Sequence, residues 1–147
     1  AGTINMMRAA VEGLESGAQG QRPLLIAVTQ LTSTSQERMQ RELLITETIE
    51  NTVAHYAKNA KEAGLDGVVC SPLEAGLVKK ACGADFLTVT PGIRYPEGDV
   101  GDQSRVTTPQ KAREIGSDYI VVGRPITAAD DPVAAYERVC HDFLGGK

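Results

Sequence analysis

The sequence has no excess of positive charge. Its 15 Lys and Arg residues are outnumbered by 19 Asp and Glu, which gives a formal net charge of -4 and a pI of about 5.2. Domains that bind nucleic acid usually have a basic patch or stripe, so this balance predicts no nucleic-acid partner. An anion bound by such a protein has to be recognised locally, by a few well-placed groups.

Long hydrophobic runs and a signal-peptide pattern are also absent. A helix that crosses a bilayer needs roughly 20 apolar residues in succession, and no run approaches that length. The three cysteines, Cys70, Cys82 and Cys140, are odd in number and contain no close pair. They are interpreted as free thiols of a cytoplasmic protein, and no two Cys or His residues have the spacing of metal ligands.

The 147 residues, 41% of them hydrophobic, suffice for one domain with a core. The chain opens at Ala1 without an initiator methionine and enters a helical pattern almost at once. From this we expect a piece of a longer polypeptide.

Apolar spacing predicts helices over residues 5–16 and 36–44, with a strand at residues 24–30 between them. Thr46 is predicted to cap a third helix that runs to residue 63. Strands at residues 68–71, 86–90 and 119–123 alternate with helices that begin near Pro72, Pro109 and Pro132. The stretch Ser71-Pro72-Leu73-Glu74 is predicted to form a capping box at the first of these helices. The inner face of the last helix is predicted to carry Val133, Tyr136, Val139, Cys140 and Phe143.

A short pattern precedes three of the four strands. Each time a helix end is followed by a glycine, one further residue and an aspartate, at Gly64-Leu65-Asp66, Gly83-Ala84-Asp85 and Gly116-Ser117-Asp118. The glycine suits the left-handed position that ends a helix, and the aspartate suits the turn into a strand. These aspartates are predicted to be structural, and Lys79-Lys80 a solvated helix face.

Alternation of strand and helix predicts an α/β fold with a parallel sheet and right-handed crossovers. Four parallel strands leave two open edges, which makes a poor domain but a good half of an eight-stranded barrel. We therefore predict that residues 1–147 form the C-terminal half of a TIM (β/α)8 barrel whose N-terminal half is absent from this sequence.

The stretch from Asp118 to Thr127 is the first candidate for a binding site. Its apolar residues from Tyr119 to Val122 suit a strand buried on both faces, and Gly123-Arg124-Pro125 ends that strand. A bare backbone next to one guanidinium fits an anion site, and a plain strand-to-helix turn with a surface arginine is the alternative.

The long connection at residues 93–106 favours the anion site. In a β/α barrel the site lies at the C-terminal ends of the strands, where phosphate often binds after strands seven and eight. Arg94, Gln103 and Arg105 flank or belong to this loop, so guanidiniums, an amide and backbone N–H groups should surround one point. With several glycines and little apolar anchoring, residues 93–102 are predicted to be mobile without ligand and ordered with one.

Three motifs together resemble bacterial orotidine 5'-phosphate decarboxylases: Thr90-Pro91-Gly92-Ile93-Arg94, Asp102-Gln103-Ser104-Arg105-Val106 and Val122-Gly123-Arg124-Pro125-Ile126-Thr127. Val28-Thr29-Gln30-Leu31-Thr32-Ser33 is similar to the fifth barrel strand of that family and its tip. The resemblance covers the whole chain, in order and with the spacing of the family.

The resemblance implies a role for each of five residues. Thr32 would contact the pyrimidine, and Gln103 would reach the phosphate and bridge towards the base. Gly123, through its backbone, and Arg124, through its side chain, would hold the phosphate, with Arg94 as a further substrate contact. It also implies a homodimer that decarboxylates orotidine 5'-phosphate to uridine 5'-phosphate in pyrimidine biosynthesis, without metal or organic cofactor.

The catalytic array of the family, Asp-x-Lys-x-x-Asp, is missing: none of the six lysines follows an aspartate by two residues. We therefore expect no catalytic residue in this chain, which alone should be inactive as a carboxy-lyase. Two alternatives stay open. One is another phosphate-binding barrel enzyme, a sugar-phosphate decarboxylase or aldolase, and the other is a non-catalytic phosphate-binding half-barrel.

Overall fold

The structure, a computed structural model, describes residues 2–97 and 105–146. Its helices are α1 (Ile4–Gly17), α2 (Gln36–Glu42), α3 (Ile49–Glu62), α4 (Pro72–Cys82), α5 (Pro109–Ile115), α6 (Arg124–Thr127) and α7 (Pro132–Leu144). Its strands are β1 (Ile26–Val28), β2 (Gly67–Val69), β3 (Leu87–Thr90) and β4 (Tyr119–Ile120). None of the helices in the described ranges has the length and apolar character needed to cross a bilayer.

The four strands form one parallel sheet in the order β1-β2-β3-β4. Ala27 pairs with Val68, Val68 with Thr88, and Thr90 with Ile120. The predicted parallel pairing in chain order is therefore confirmed. All four strands point the same way, so their C-terminal ends meet at one edge of the molecule.

The hydrophobic core lies between β2 and the helices α1, α3 and α4. Val53, Ala57, Ala60, Val68 and Val78 are fully buried there. Helices α3 and α4 present small and β-branched residues to each other, which lets them pack closely. This layer holds β2 and β3 rigidly and so fixes where their tips lie.

The glycines of the repeated Gly-x-Asp turns have the predicted positive φ, although Gly83, with a ψ of 160°, lies outside the left-handed helical region. Gly64, Gly83 and Gly116 all have positive φ, between 91° and 106°. At the first turn, Asp66 accepts two hydrogen bonds of 2.8 Å from Arg22 and one of 2.7 Å from the Leu25 N–H. This aspartate is structural, as predicted.

At the third turn, Asp118 ties three elements together. It accepts hydrogen bonds from Lys79 Nζ at 2.6 Å and from the Thr88 N–H at 2.7 Å. Lys79 also donates to the carbonyls of Ala84 and Phe86. The prediction that Lys79 is solvated is wrong, because the helix α4 carries it over the turn, where it finds these partners.

The Lys79–Asp118 pair should make the stability of the protein depend on acid pH. Burial acts to raise the pKa of Asp118, but the hydrogen bonds from Lys79 and Thr88 outweigh it, and the pKa lies below its usual value. A carboxylate whose pKa is lowered by folding stabilises the protein above its unfolded pKa of about 3.9, and this contribution disappears as pH falls through the folded value. We expect Asp118→Asn to lower the free energy of unfolding by a constant amount above about pH 5. Below about pH 4, the difference in the free energy of unfolding between the variant and wild type should disappear. Urea titrations at several pH values measure this, and a gap that widens in acid would contradict it.

Several boundaries and burial assignments differ from the predictions. The strands are shorter than predicted, and the cap of α3 is Thr48, whose side chain accepts from the Asn51 N–H, in place of Thr46. Gly123 leads directly into the short helix α6, which the sequence does not predict because a single turn has no apolar periodicity.

The prediction of a last strand buried on both faces is wrong. Tyr119 and Val121 are 54% and 50% exposed, and on α7 Val133 and Tyr136 are 68% and 57% exposed. These residues lie at the β4 edge of the sheet, where no further strand covers them within the described residues. The edge at β1 is similar, since Val28 is 59% exposed. The sequence indicates the apolar character of these residues correctly, but their burial depends on neighbours at the two edges.

The start of the long connection is anchored. Ile93 is fully buried and forms a parallel bridge with Thr107, contrary to the expectation of little apolar anchoring. Residues 98–104, including Gln103, lie outside the described residues, and with them half of the segment predicted to be mobile.

Candidate functional site

A cavity of about 240 Å³ opens where the C-terminal ends of the four strands meet. It is lined by Val28, Gln30, Leu31, Thr32, Ser33, Val69, Pro91, Gly92, Arg94, Val121 and Gly123. Three residues predicted to bind substrate, Thr32, Arg94 and Gly123, therefore face one space. They follow β1, β3 and β4, and the parallel sheet brings them together.

Thr32 lies in the turn that follows β1 and is 5% exposed. Its carbonyl accepts a hydrogen bond of 3.3 Å from the Arg105 N–H. Gly92 packs against it: a Cβ at that position would lie 3.1 Å from Thr32 Cγ2 and 3.0 Å from the Arg105 carbonyl oxygen. Gly92 also has a φ of 84°, so both the space and the backbone require glycine there.

Arg94 is 8% exposed and borders two cavities. Its backbone N–H donates to the Thr107 carbonyl at 2.9 Å, and its Nη1 donates to the Ile93 carbonyl at 2.6 Å. The second cavity, of about 360 Å³, is lined by Arg94, Tyr95, Glu97, Arg124, Pro125, Ala128, Ala129 and Arg138. Arg94 thus connects the space beside Thr32 with the space beside Arg124.

Arg124 is exposed and is the first residue of α6, directly after Gly123. It lines the second cavity, whereas Gly123 lines the first. Of the five predicted residues, four are placed at these two adjoining cavities, and Gln103 lies outside the described residues.

The sequence does not predict a cluster of interacting side chains at the second cavity, formed by Tyr95, Glu97, Arg138 and Asp142. The guanidinium of Arg138 stacks over the Tyr95 ring, 3.7 Å from its centroid, and forms an ion pair of 2.6 Å with Glu97. Tyr95 Oη donates to Asp142 at 2.8 Å. These residues come from the long connection and from α7, which lie far apart in the chain, so no local pattern could have revealed them.

The second cavity has an excess of positive charge, although the protein as a whole has a net negative charge. Three guanidiniums, those of Arg94, Arg124 and Arg138, line it together with the single carboxylate of Glu97. This arrangement can hold a phosphate or carboxylate group by charge-assisted hydrogen bonds. Among the described residues, the lining of the first cavity contains no Asp, Glu, His, Lys or Cys. These residues can bind a ligand, but they include none of the side chains that commonly donate a proton in catalysis.

Arg105, which the sequence placed beside Arg94 at the phosphate, points elsewhere. Its side chain is 12% exposed and forms an ion pair with Glu74, and its Nη2 donates to the Leu31 carbonyl at 2.8 Å. The prediction fails for Arg105 alone, because Glu74, which also caps α4 together with Ser71, is its buried counter-ion.

The reactive side chains add no further chemistry. The three cysteines are free thiols, and burial raises the pKa of Cys70, at the end of β2, to about 12. In the described part of the chain, no cluster of three or more His, Cys, Asp or Glu side chains could hold a metal ion.

Comparison with known proteins agrees with this architecture. The sequence model of the Orotidine 5'-phosphate decarboxylase / HUMPS family matches residues 1–139. An orotidine 5'-phosphate decarboxylase of Bacillus cereus is 57% identical over 147 residues, which are 99% of this chain and 62% of that protein.

Two solved structures are similar to the chain. An orotidine 5'-phosphate decarboxylase from Lactobacillus acidophilus is 44% identical with a TM-score of 0.78, over 95% of this chain and 58% of that one. An uncharacterized conserved protein from Geobacillus kaustophilus is 49% identical, also with a TM-score of 0.78, over 97% of this chain and 60% of that one. The chain therefore spans about three fifths of the length of these relatives, and its four parallel strands are the C-terminal part of a TIM barrel.

Proposed function

Because the chain belongs to the Orotidine 5'-phosphate decarboxylase / HUMPS family, we propose that it is the phosphate- and pyrimidine-binding part of an enzyme that converts orotidine 5'-phosphate to uridine 5'-phosphate. The observation that carries the proposal is the convergence of Thr32, Arg94 and Gly123 on one cavity, with Arg124 on the next. The names of the relatives supply the substrate.

The two cavities suit the two ends of a nucleotide monophosphate. The phosphate would lie at the Gly123–Arg124 end, where guanidiniums dominate, with Gln103 as a further ligand. The pyrimidine would lie beside Thr32 in the cavity with fewer charged residues, and Arg94 would contact the substrate between the two ends. A ligand held at both ends fixes the reacting carbon against the rest of the barrel, so that phosphate binding energy can assist the chemistry.

The chemical step itself needs groups that this chain does not contain. Loss of carbon dioxide leaves the bonding electron pair on the ring carbon, which must then be protonated by an acid. No Asp-x-Lys-x-x-Asp array occurs in the sequence, and the cavity lining offers no acid among the described residues. We propose that the remaining strands of the barrel supply this array, and that residues 1–147 are one part of a single barrel domain. A cytoplasmic homodimer without metal or cofactor belongs to the same proposal.

Turnover is the direct test. We expect full-length protein to consume orotidine 5'-phosphate, followed by the change in ultraviolet absorbance of the pyrimidine, with a stoichiometric release of carbon dioxide. The 147-residue chain alone should show no turnover, since it lacks the acid. Turnover by the short chain, or a full-length protein that acts on a sugar phosphate and leaves the nucleotide intact, would overturn the proposal.

A further inference from the structure

The side chain of Arg105 is 12% exposed and lies against the segments that follow β1 and β2. Its Nη2 donates to the carbonyls of Gln30 and Leu31 at 3.3 and 2.8 Å, and its backbone N–H donates to the Thr32 carbonyl at 3.3 Å. One residue therefore binds three successive carbonyls of the turn that follows β1. Its ion-pair partner Glu74 is only 6% exposed.

The other contacts of Arg105 and Glu74 lead to the neighbouring strands. The Arg105 carbonyl accepts from Ser71 Oγ at 3.2 Å, and the Ser71 N–H donates to Glu74 Oε2 at 3.0 Å. Ser71 is the N-cap of α4, which follows β2. The Arg105–Glu74 pair thus joins the tip of β1 to the tip of β2.

The arrangement depends on the shape of the guanidinium as well as its charge. A planar fork can bind a carboxylate and two carbonyls at the same time, whereas an ammonium group is a point charge on a flexible stem. Removing one member of a buried pair leaves the other charge without compensation, which is strongly unfavourable. The turn at Thr32 is therefore held by a rigid element that itself lies outside the lining of both cavities.

We infer that Arg105, held by Glu74, is a positioning residue that sets the place of Thr32 and so determines recognition of the pyrimidine by the proposed nucleotide site. The inference rests on the proposed function. It assigns Arg105 no contact with substrate, and it separates the two ends of the ligand. Loss of Arg105 should disturb the end at Thr32 and leave the end at Gly123 and Arg124 intact.

The test compares two ligands that share a phosphate. In full-length protein, Arg105→Met should weaken binding of uridine 5'-monophosphate about tenfold, because it removes the side-chain hydrogen bonds to the Gln30 and Leu31 carbonyls that place the adjoining Thr32. The affinity for ribose 5-phosphate, which has no base, should change by less than about twofold, because binding of its phosphate does not depend on Thr32. Isothermal titration of both ligands gives the two ratios. A loss that is equal for both ligands would overturn the inference.

Two conservative variants keep the test decisive if Arg105→Met does not fold. Glu74→Gln keeps an oxygen that can cap α4 at Ser71 but removes the charge that holds Arg105, so we expect a smaller loss confined to uridine 5'-monophosphate. Arg105→Lys keeps the charge but lacks the fork, so thermal stability should recover more than base affinity does. An Arg105→Lys protein with wild-type affinity for both ligands would contradict the positioning role.

Lys79→Met is the matched control. It breaks another partly buried ion pair, Lys79 with Asp118, whose side chains are 19% and 30% exposed, at the opposite end of the strands. Variants at Lys79 and Arg105 with similar losses of thermal stability should differ in binding, because Arg105, unlike Lys79, contacts the turn that carries Thr32. If both variants changed the ratio of the affinities for uridine 5'-monophosphate and ribose 5-phosphate equally, Arg105 would only stabilise the fold and the inference would be wrong. If the wild-type protein itself fails to bind uridine 5'-monophosphate, it is the proposed function that fails, and the two failures are distinguishable.

Discussion

Arg124→Ala is expected to weaken binding of uridine 5'-monophosphate by roughly tenfold to a hundredfold in full-length protein, and to leave binding of uridine almost unchanged. A hydrogen bond to a charged group contributes about 1.5–3 kcal/mol, which corresponds to that range of affinity. Arg124 lines the second cavity directly after Gly123, and the proposed function assigns it to the phosphate and not to the base. Turnover should fall by more than binding does, because phosphate binding energy also assists the reacting centre.

Arg138→Ala is the matched control for this prediction. Arg138 lines the same cavity, but its guanidinium stacks on Tyr95 and pairs with Glu97. Arg138 is 53% exposed, so an ion pair between it and the phosphate would be an exposed one, and its removal should cost less than about threefold in nucleotide affinity. Titration of nucleotide and nucleoside into both variants decides the question. If Arg124→Ala weakened nucleotide and nucleoside equally, Arg124 would support the fold or the base pocket, and the phosphate assignment would be wrong.

The parts of this fold that the sequence predicts well are those determined within a few residues. The glycines at positions 64, 83 and 116 adopt positive φ, and Ser71 with Glu74 forms a capping box. Such signals are local, because a cap or a turn is built from neighbours in the chain. The order of the parallel strands follows from the alternation of strand and helix, which permits few topologies.

The convergence of Thr32, Arg94 and Gly123 is predictable for a related reason. Parallel strands expose all their C-terminal ends at one edge, so residues that follow β1, β3 and β4 must lie near one another. No knowledge of side-chain contacts is needed to place them there, and their separation in sequence does not matter.

The errors concern partners that lie far apart in the chain. The sequence predicts a solvated Lys79, which is bound to Asp118, and an Arg105 at the phosphate, which is bound to Glu74. A charged residue has the same local pattern whether it faces water or a buried counter-ion. The burial of Tyr119 is misjudged similarly, because it depends on what covers the edge of the sheet. Only the three-dimensional arrangement reveals these partners.

Gly67→Ala is expected to lower the free energy of unfolding by about 1–3 kcal/mol or more, the range found when atoms are added to a well-packed interior. Gly67 is buried in β2 and pairs with Ile26 on one side and Leu87 on the other. A Cβ at this position would lie 2.4 Å from the Leu87 carbonyl oxygen and 2.6 Å from Leu87 Cβ. The obstacle is backbone of a hydrogen-bonded neighbouring strand, which cannot move aside as a flexible side chain could, so the two strands must separate.

Gly13→Ala shows what the same substitution does without that obstacle. Gly13 lies inside α1, and a methyl group added to it would have no atom within 4 Å apart from its chain neighbours and the local helix backbone. Alanine there should raise the free energy of unfolding by about 0.8–1 kcal/mol, since glycine is the poorer helix former by that amount. The two alanine variants are thus expected to change stability in opposite directions, which urea denaturation of both can measure. A Gly67→Ala protein as stable as wild type would mean that β2 and β3 do not approach each other as closely as the Gly67–Leu87 register requires. The alignment of the C-terminal ends of these two strands at the candidate site would then be wrong as well.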